Sequence, residues 1–147
     1  SQSEADDQEF VRFQKAWFAE LAPCDDTGAM AAFVGKCRGE KGRLVALELE
    51  HYPGMTESAI TAIAETTKAR WGLADLLVIH RHGALPLGQP IMMVATAAAH
   101  RRAAFEAAEY LMDYLKSRAP FWKKEVTRSG AHWVEATPED EDALSRW

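Results

Sequence analysis

Two lysines seven residues apart, Lys116 and Lys123, flank Pro120 in the stretch YLKSRAPFWKKE at residues 114–125. A helix running into Lys116 would place it one turn beyond Met112, bordering an apolar stripe rather than facing open water. A strand restarting after the proline must leave from the same end of the helix, so both ammonium groups can face one pocket. Neighbouring cations and partial burial both lower the pKa of a lysine, which would suit the pair to acid or base chemistry near neutrality. The plainer reading is a solvated basic run that complements the helix C-terminal dipole. Alternation along the strand sends Trp122 and Lys124 to the face opposite Lys123, so the adjacent lysines are not given the same role.

Other residues with chemical potential lie elsewhere. Arg38, followed by Gly39, ends a strand and can fork onto a phosphate or carboxylate. Its neighbour Cys37 reads as a buried structural thiol before it reads as a sulfur relay. His100, Arg101 and Arg102 open a long helix, where outward N–H groups favour anions; the alternative is a solvated basic turn with His100 as its cap. His51, His80 and His82 sit in or near strands with no evident carboxylate or cysteine partner, so a metal site is only weakly suggested.

The elements that must position these residues can be read from periodicity. Residues 10–21 fit a short amphipathic helix equally with a strand and helical turn. Residues 29–38 and 43–52 read as two strands forming a hairpin around GEKG; Val45, Leu47 and Leu49 alternate with Ala46, Glu48 and Glu50. Thr56 is expected to cap a helix that runs to Trp71 and stops at Gly72. A strand at 75–83, a loop at 84–90 and a strand buried on both faces at 91–99 follow. A second helix spans about 100–117 with Ala104, Ala108, Leu111, Met112 and Leu115 inward. Pro120 ends it, pushing Ala119 toward an extended form. A hairpin around Ser129-Gly130 and a short acidic helix complete the chain. The resulting order, ββαββαββ, implies an α+β fold with a mostly antiparallel sheet.

Bulk properties narrow the possibilities. A chain of 147 residues supports one compact domain, taken here as 9–147 behind a disordered acidic tail at 1–8. The formal net charge of −5 argues against a generic nucleic-acid binder. Yet residues 100–128 hold seven Lys or Arg against four acids, while residues 1–9 hold Glu4, Asp6, Asp7 and Glu9 without a cation. That acidic start is unlike a secretory leader, and no apolar run reaches membrane-spanning length. Cys24 and Cys37 lack CxxC spacing. The expected setting is the reducing cytoplasm.

Several longer words then point to one family. LEHYPGMTE (49–57), VIHRHG (78–83), AHRRAAFEAAEYLMDYLK (99–116) and RAPFWKKE (118–125), with Trp133 beyond, resemble the large, catalytic subunit of molybdopterin synthase. The likeness runs from about Ala29 to Ala136, and the first 28 residues carry little of it. It implies an α/β hammerhead-like fold and a sulfurtransferase that converts cyclic pyranopterin monophosphate to molybdopterin by installing the dithiolene sulfurs. Sulfur would come from a thiocarboxylate on the C-terminal Gly-Gly of a small ubiquitin-like carrier. The implied assembly is a homodimer with one carrier at each end, a heterotetramer, working without a metal or other cofactor and without nucleic acid or membrane. By motif, Lys116 and Lys123 match the active-site lysines, Arg38 the pocket arginine with Phe33 beneath it, and His100 and Arg101 the HR that opens the helix. Met112 and Glu125 match positions that line or support the pocket. The loop GEKGR is a short version of the family's.

On this reading the basic corner offsets the repulsion between an anionic substrate and an anionic carrier tail. Lys116 is assigned the chemical role and Lys123 substrate positioning. Arg101 and Lys116 are fifteen residues apart, roughly 22 Å along a helix, so the site is expected to be shared across the dimer. Two other readings are a phosphate- or RNA-binding module using Trp122, Trp133 and the basic corner, and a pseudo-enzyme that scaffolds the carrier.

Overall fold

The computed structural model describes residues 12, 15–17, 19, 20, 24–118, 121–134 and 138–147, and of residues 51, 121 and 122 the backbone alone. The acidic tail, Ala119 and Pro120 therefore lie outside the described residues, as does the side chain of Trp122. Among the described residues, seven strands follow the order β1 (Ala29–Lys36), β2 (Leu44–His51), β3 (Asp75–His80), β4 (Gly83–Pro86), β5 (Pro90–Ala98), β6 (Phe121–Thr127) and β7 (Gly130–Val134). Helix α1 (Met55–Trp71) lies between β2 and β3, α2 (Arg101–Arg118) between β5 and β6, and α3 (Pro138–Ala143) near the C-terminus, ahead of a 3-10 turn at Leu144–Arg146. The described residues within 12–20 are helical, and the rest of the 10–21 stretch lies outside the described residues.

These strands form two antiparallel sheets, ordered β1-β5-β3 and β4-β2-β6-β7. The α+β class and antiparallel pairing agree with expectation, but two readings of the sheets do not. First, β1 and β2 are not hairpin partners: β1 pairs with β5, whereas β2 pairs with β4 and β6. After Lys36 the chain pairs instead with the turn entering β5, through Cys37 N–H to the Gln89 carbonyl at 2.9 Å and Gly88 N–H to the Cys37 carbonyl at 2.7 Å. It then turns through Glu40, Lys41 and Gly42, all at positive φ, into the second sheet. Second, residues 84–90 are not all loop, because β4 forms there and joins β2 from Ala46↔Pro86 to Leu49↔Gly83. Leu85 is fully buried on that strand, and a strand ending in proline is tolerated because β4 is an edge. The observed order is ββαβββαββ.

Burial explains the layers. β5 is central and covered on both sides, as its apolar run suggests. Met92 and Val94 pack with Leu111 and Leu115 of α2, while Met93, Ala95 and Ala97 pack with Trp17. The Trp17 indole donates to Asp75 Oδ2 at 2.9 Å. Ala104 and Ala107 let α2 approach β5 closely enough for Thr96 Oγ1 to donate to the Ala104 carbonyl at 2.6 Å. α1 starts at Met55, so Thr56 is not its cap; the buried Thr56 hydroxyl accepts the Tyr52 N–H at 2.9 Å and pins the preceding turn. Gly72 ends α1 in the left-handed conformation, as anticipated.

Candidate active site

Residues of both sheets and of the C-terminal end of α2 line a cleft of ≈ 630 Å³. The end of β1 and the loop after it contribute Phe33 through Arg38. Met112, Leu115, Lys116 and Ser117 come from α2, Leu47 and Leu49 from β2, His80 from β3 and Lys123 from β6. Asp140 of α3 completes the wall.

Each side chain is aimed by its element. Lys116 follows Met112 by four residues and therefore borders the stripe of Leu111 and Leu115; its side chain is 60% exposed. Lys123 lies opposite Leu49 in the β2–β6 ladder and shares its face. Lys124 points the other way and stacks over Trp133, 4.4 Å from the ring centroid. Phe33 pairs in register with Val94, on the face of the first sheet that α2 covers, and stays half exposed as an aromatic surface of the cleft. A bulge between Gly35 and Lys36 ends the regular ladder, and both residues, with Cys37 and Arg38, line the cleft.

Lys116, Lys123, Arg38, Phe33 and Met112 are thus brought together. Glu125 is not part of the lining. It accepts from Arg43 Nη2 at 2.7 Å, and Arg43 also grips Glu40, so Glu125 braces the loop that carries Arg38. This hydrogen bonding holds the Glu40 carboxyl below its ordinary range. His100 and Arg101 stand at the other end of α2, exposed and away from the cleft.

The electrostatic balance is positive. Lys36, Arg38, Lys116 and Lys123 face Glu40 and Asp140. Arg43 satisfies Glu40, and Asp140 Oδ1 lies 3.8 Å from Lys116 Nζ. Among the described residues, Lys36, Arg38 and Lys123 have no carboxylate within 4.0 Å. Such a cleft favours ligands carrying more than one negative charge. Burial raises the Cys37 thiol above its usual pKa, against a smaller opposite pull from Lys123. Burial also holds His80 low, and its Nδ1–H donates to the Arg81 carbonyl at 2.8 Å. Among the described residues no three His, Cys, Asp or Glu side chains come together as a metal-ligand set, and no helix is long and apolar enough to cross a membrane.

Sequence reasoning passed over Lys36, His80 as a wall residue, and Asp140. The available signal for Asp140 was the acidic run PEDED at 138–142, which follows the basic corner and complements its charge.

The sequence matches the MoaE protein family over residues 8–118, so the likeness reaches well into the first 28 residues. The molybdopterin synthase catalytic subunit of Cereibacter sphaeroides is 67% identical over 120 residues, covering 82% of this chain and 82% of that protein. A solved molybdopterin biosynthesis MoaE protein from Burkholderia ambifaria superposes with a TM-score of 0.76 at 47% identity, covering 92% of this chain and 90% of the other. A Helicobacter pylori chain, from a protein–protein complex of subunits 1 and 2 of molybdopterin-converting factor, shares the fold with a TM-score of 0.73 at 22% identity, over 86% of this chain and 84% of that one. With a family match across most of its length and two-thirds identity to a catalytic subunit, the chain belongs to the MoaE protein family.

Proposed function

We propose that this chain is the catalytic subunit of a molybdopterin synthase and acts as a sulfurtransferase. A small ubiquitin-like carrier brings sulfur as a C-terminal Gly-Gly thiocarboxylate, and cyclic pyranopterin monophosphate receives it. The observation that carries this reading is the convergence of Lys116, Lys123 and Arg38, from α2, β6 and the loop after β1, on one cleft.

Substrate and carrier tail are both anionic. Cations fixed before either arrives offset their repulsion without reorganising during the reaction. The thiocarboxylate sulfur bonds to a substrate carbon, and the oxygen displaced there leaves with a proton from Lys116. Water then cleaves the acyl–sulfur bond, leaving sulfur on the pterin and a carboxylate on the carrier. Lys123 and Arg38 position the anions, Phe33 and Met112 supply apolar contact for the substrate, and Glu125 holds the loop through Arg43.

His100 and Arg101 enter through a second copy. α2 is 18 residues long; Arg101 begins it, with His100 just before, while Lys116 lies in its last turn. In a two-fold dimer the start of one α2 can approach the end of the other and add its cations to the phosphate site. The direct test is incubation of the protein with the substrate and the thiocarboxylated carrier, followed by assay for the dithiolene product. Absence of product with folded, carrier-bound protein would overturn the proposal.

A further inference from the structure

The C-terminal segment is strapped along the outer side of α2. At its far end Trp147 packs edge-on against Trp71 and Tyr110, with ring centroids 5.7 and 5.6 Å away, and its indole N–H donates to Asp113 Oδ2 at 2.6 Å. Arg146 contacts Glu109 and Asp113, each at 2.6 Å. Arg70 lies over Trp71, Tyr110 and Trp147 and reaches the Trp147 carbonyl. At the near end Ser117 Oγ donates to the Asp140 carbonyl at 2.9 Å, and Arg118 pairs with Glu141 at 3.2 Å. Between these anchors, the Asp140 carboxylate points into the cleft and sits beside Lys116.

We propose that Asp140 is a placeholder for the carrier: its carboxylate occupies the position beside Lys116 that the terminal carboxylate or thiocarboxylate of an incoming tail takes, so tail entry exchanges one anion for another. This rests on the functional reading above. Two carboxylates competing for one ammonium group cannot both be favoured, and a half-exposed ion pair is weak enough to be exchanged. The backbone anchor at Ser117 and the Arg118–Glu141 pair keep the strap close when the Asp140 side chain turns away. The exchange leaves Lys116 paired at every stage, so tail affinity is held down and its salt dependence is shallow.

Asp140→Asn removes the charge while the Ser117 hydrogen bond, made to the backbone, remains. The probe is the small carrier ending in Gly-Gly carboxylate, titrated calorimetrically at low and high salt. The expected result is about two- to five-fold tighter binding for Asp140→Asn at low salt and a steeper loss of affinity with salt than in the native protein. Asp142→Asn, with the same charge change on the same helix but outside the cleft, should match the native protein. Equal affinity and salt slope for native and Asp140→Asn proteins would overturn the placeholder and leave the functional reading intact. So would equal tightening in Asp142→Asn, which would indicate a general charge effect. Failure of the carrier to bind any of the three would overturn the functional reading, and the placeholder with it.

Discussion

Lys123 stands directly opposite Leu49 in the ladder between β6 and β2, so an exposed cation and a buried leucine share one face of the sheet. The leucine is in the core beneath, with Leu47, Leu85 and Cys37, and the ammonium group stands at the rim. This pairing makes the cleft apolar at its base and basic at its edge. A ligand with an aromatic body and anionic groups fits that division.

Lys116→Ala is expected to remove product formation by about two orders of magnitude or more. Its side chain is largely exposed, so stability should change by no more than about 0.5 kcal/mol. The checks are single-turnover assays, a denaturant midpoint and a carrier titration. Near-native turnover would exclude Lys116 from the chemistry.

Neither cysteine should carry sulfur. Cys37 is buried and its thiol is pushed up by that burial, while Cys24 is exposed but away from the cleft. A Cys24→Ser, Cys37→Ala double variant should keep turnover within a few-fold. In the native protein a thiol reagent should label Cys24 quickly and Cys37 only on unfolding. A persulfide trapped on either residue during turnover would contradict this.

Mixing Arg101→Ala with Lys116→Ala subunits should restore activity if sites are shared. Each variant alone is expected to be inactive, and a mixed dimer holds one site with both residues intact. Subunit exchange is followed with differently tagged chains. Confirmed exchange without recovered turnover would place both residues' functions within one chain.

His80 should make stability fall in mild acid. Burial holds its folded pKa below the ordinary 6.5, so below that value the unfolded chain binds a proton that the folded chain resists. The contribution is fully present above about pH 6.5 and is lost as pH falls toward the folded pKa. Urea midpoints measured through this window should drop less in His80→Gln than in the native protein. Parallel profiles would show that His80 does not cause the slope.

The strands other than β4, the two long helices and most of their ends were legible because each is set by local periodicity and by residues such as Gly72. Sheet membership was not. β1 and β2 are separated by a short Gly-containing turn, which reads as a hairpin, but their partners are chosen by contacts tens of residues away. β4 was hidden because four residues between Gly83 and Pro86 carry too little pattern to outweigh their turn signals. In the candidate site, Lys116, Lys123 and Arg38 were found through motif and position. Asp140 was passed over because an acidic helix is usually solvated, and only the folded chain brings it back to the helix that ends at Arg118.

Two of the chain's crossings between the sheets, after β1 and before β5, lie side by side, and Cys37 ties them together through Gly88 and Gln89. Neither sheet alone encloses the cleft. A chain with both sheets formed but not docked has all its lysines and no receptacle for a ligand. During refolding, catalytic competence should therefore lag behind recovery of secondary structure and follow the closing of this seam, which makes regained activity a clock for the last step of assembly.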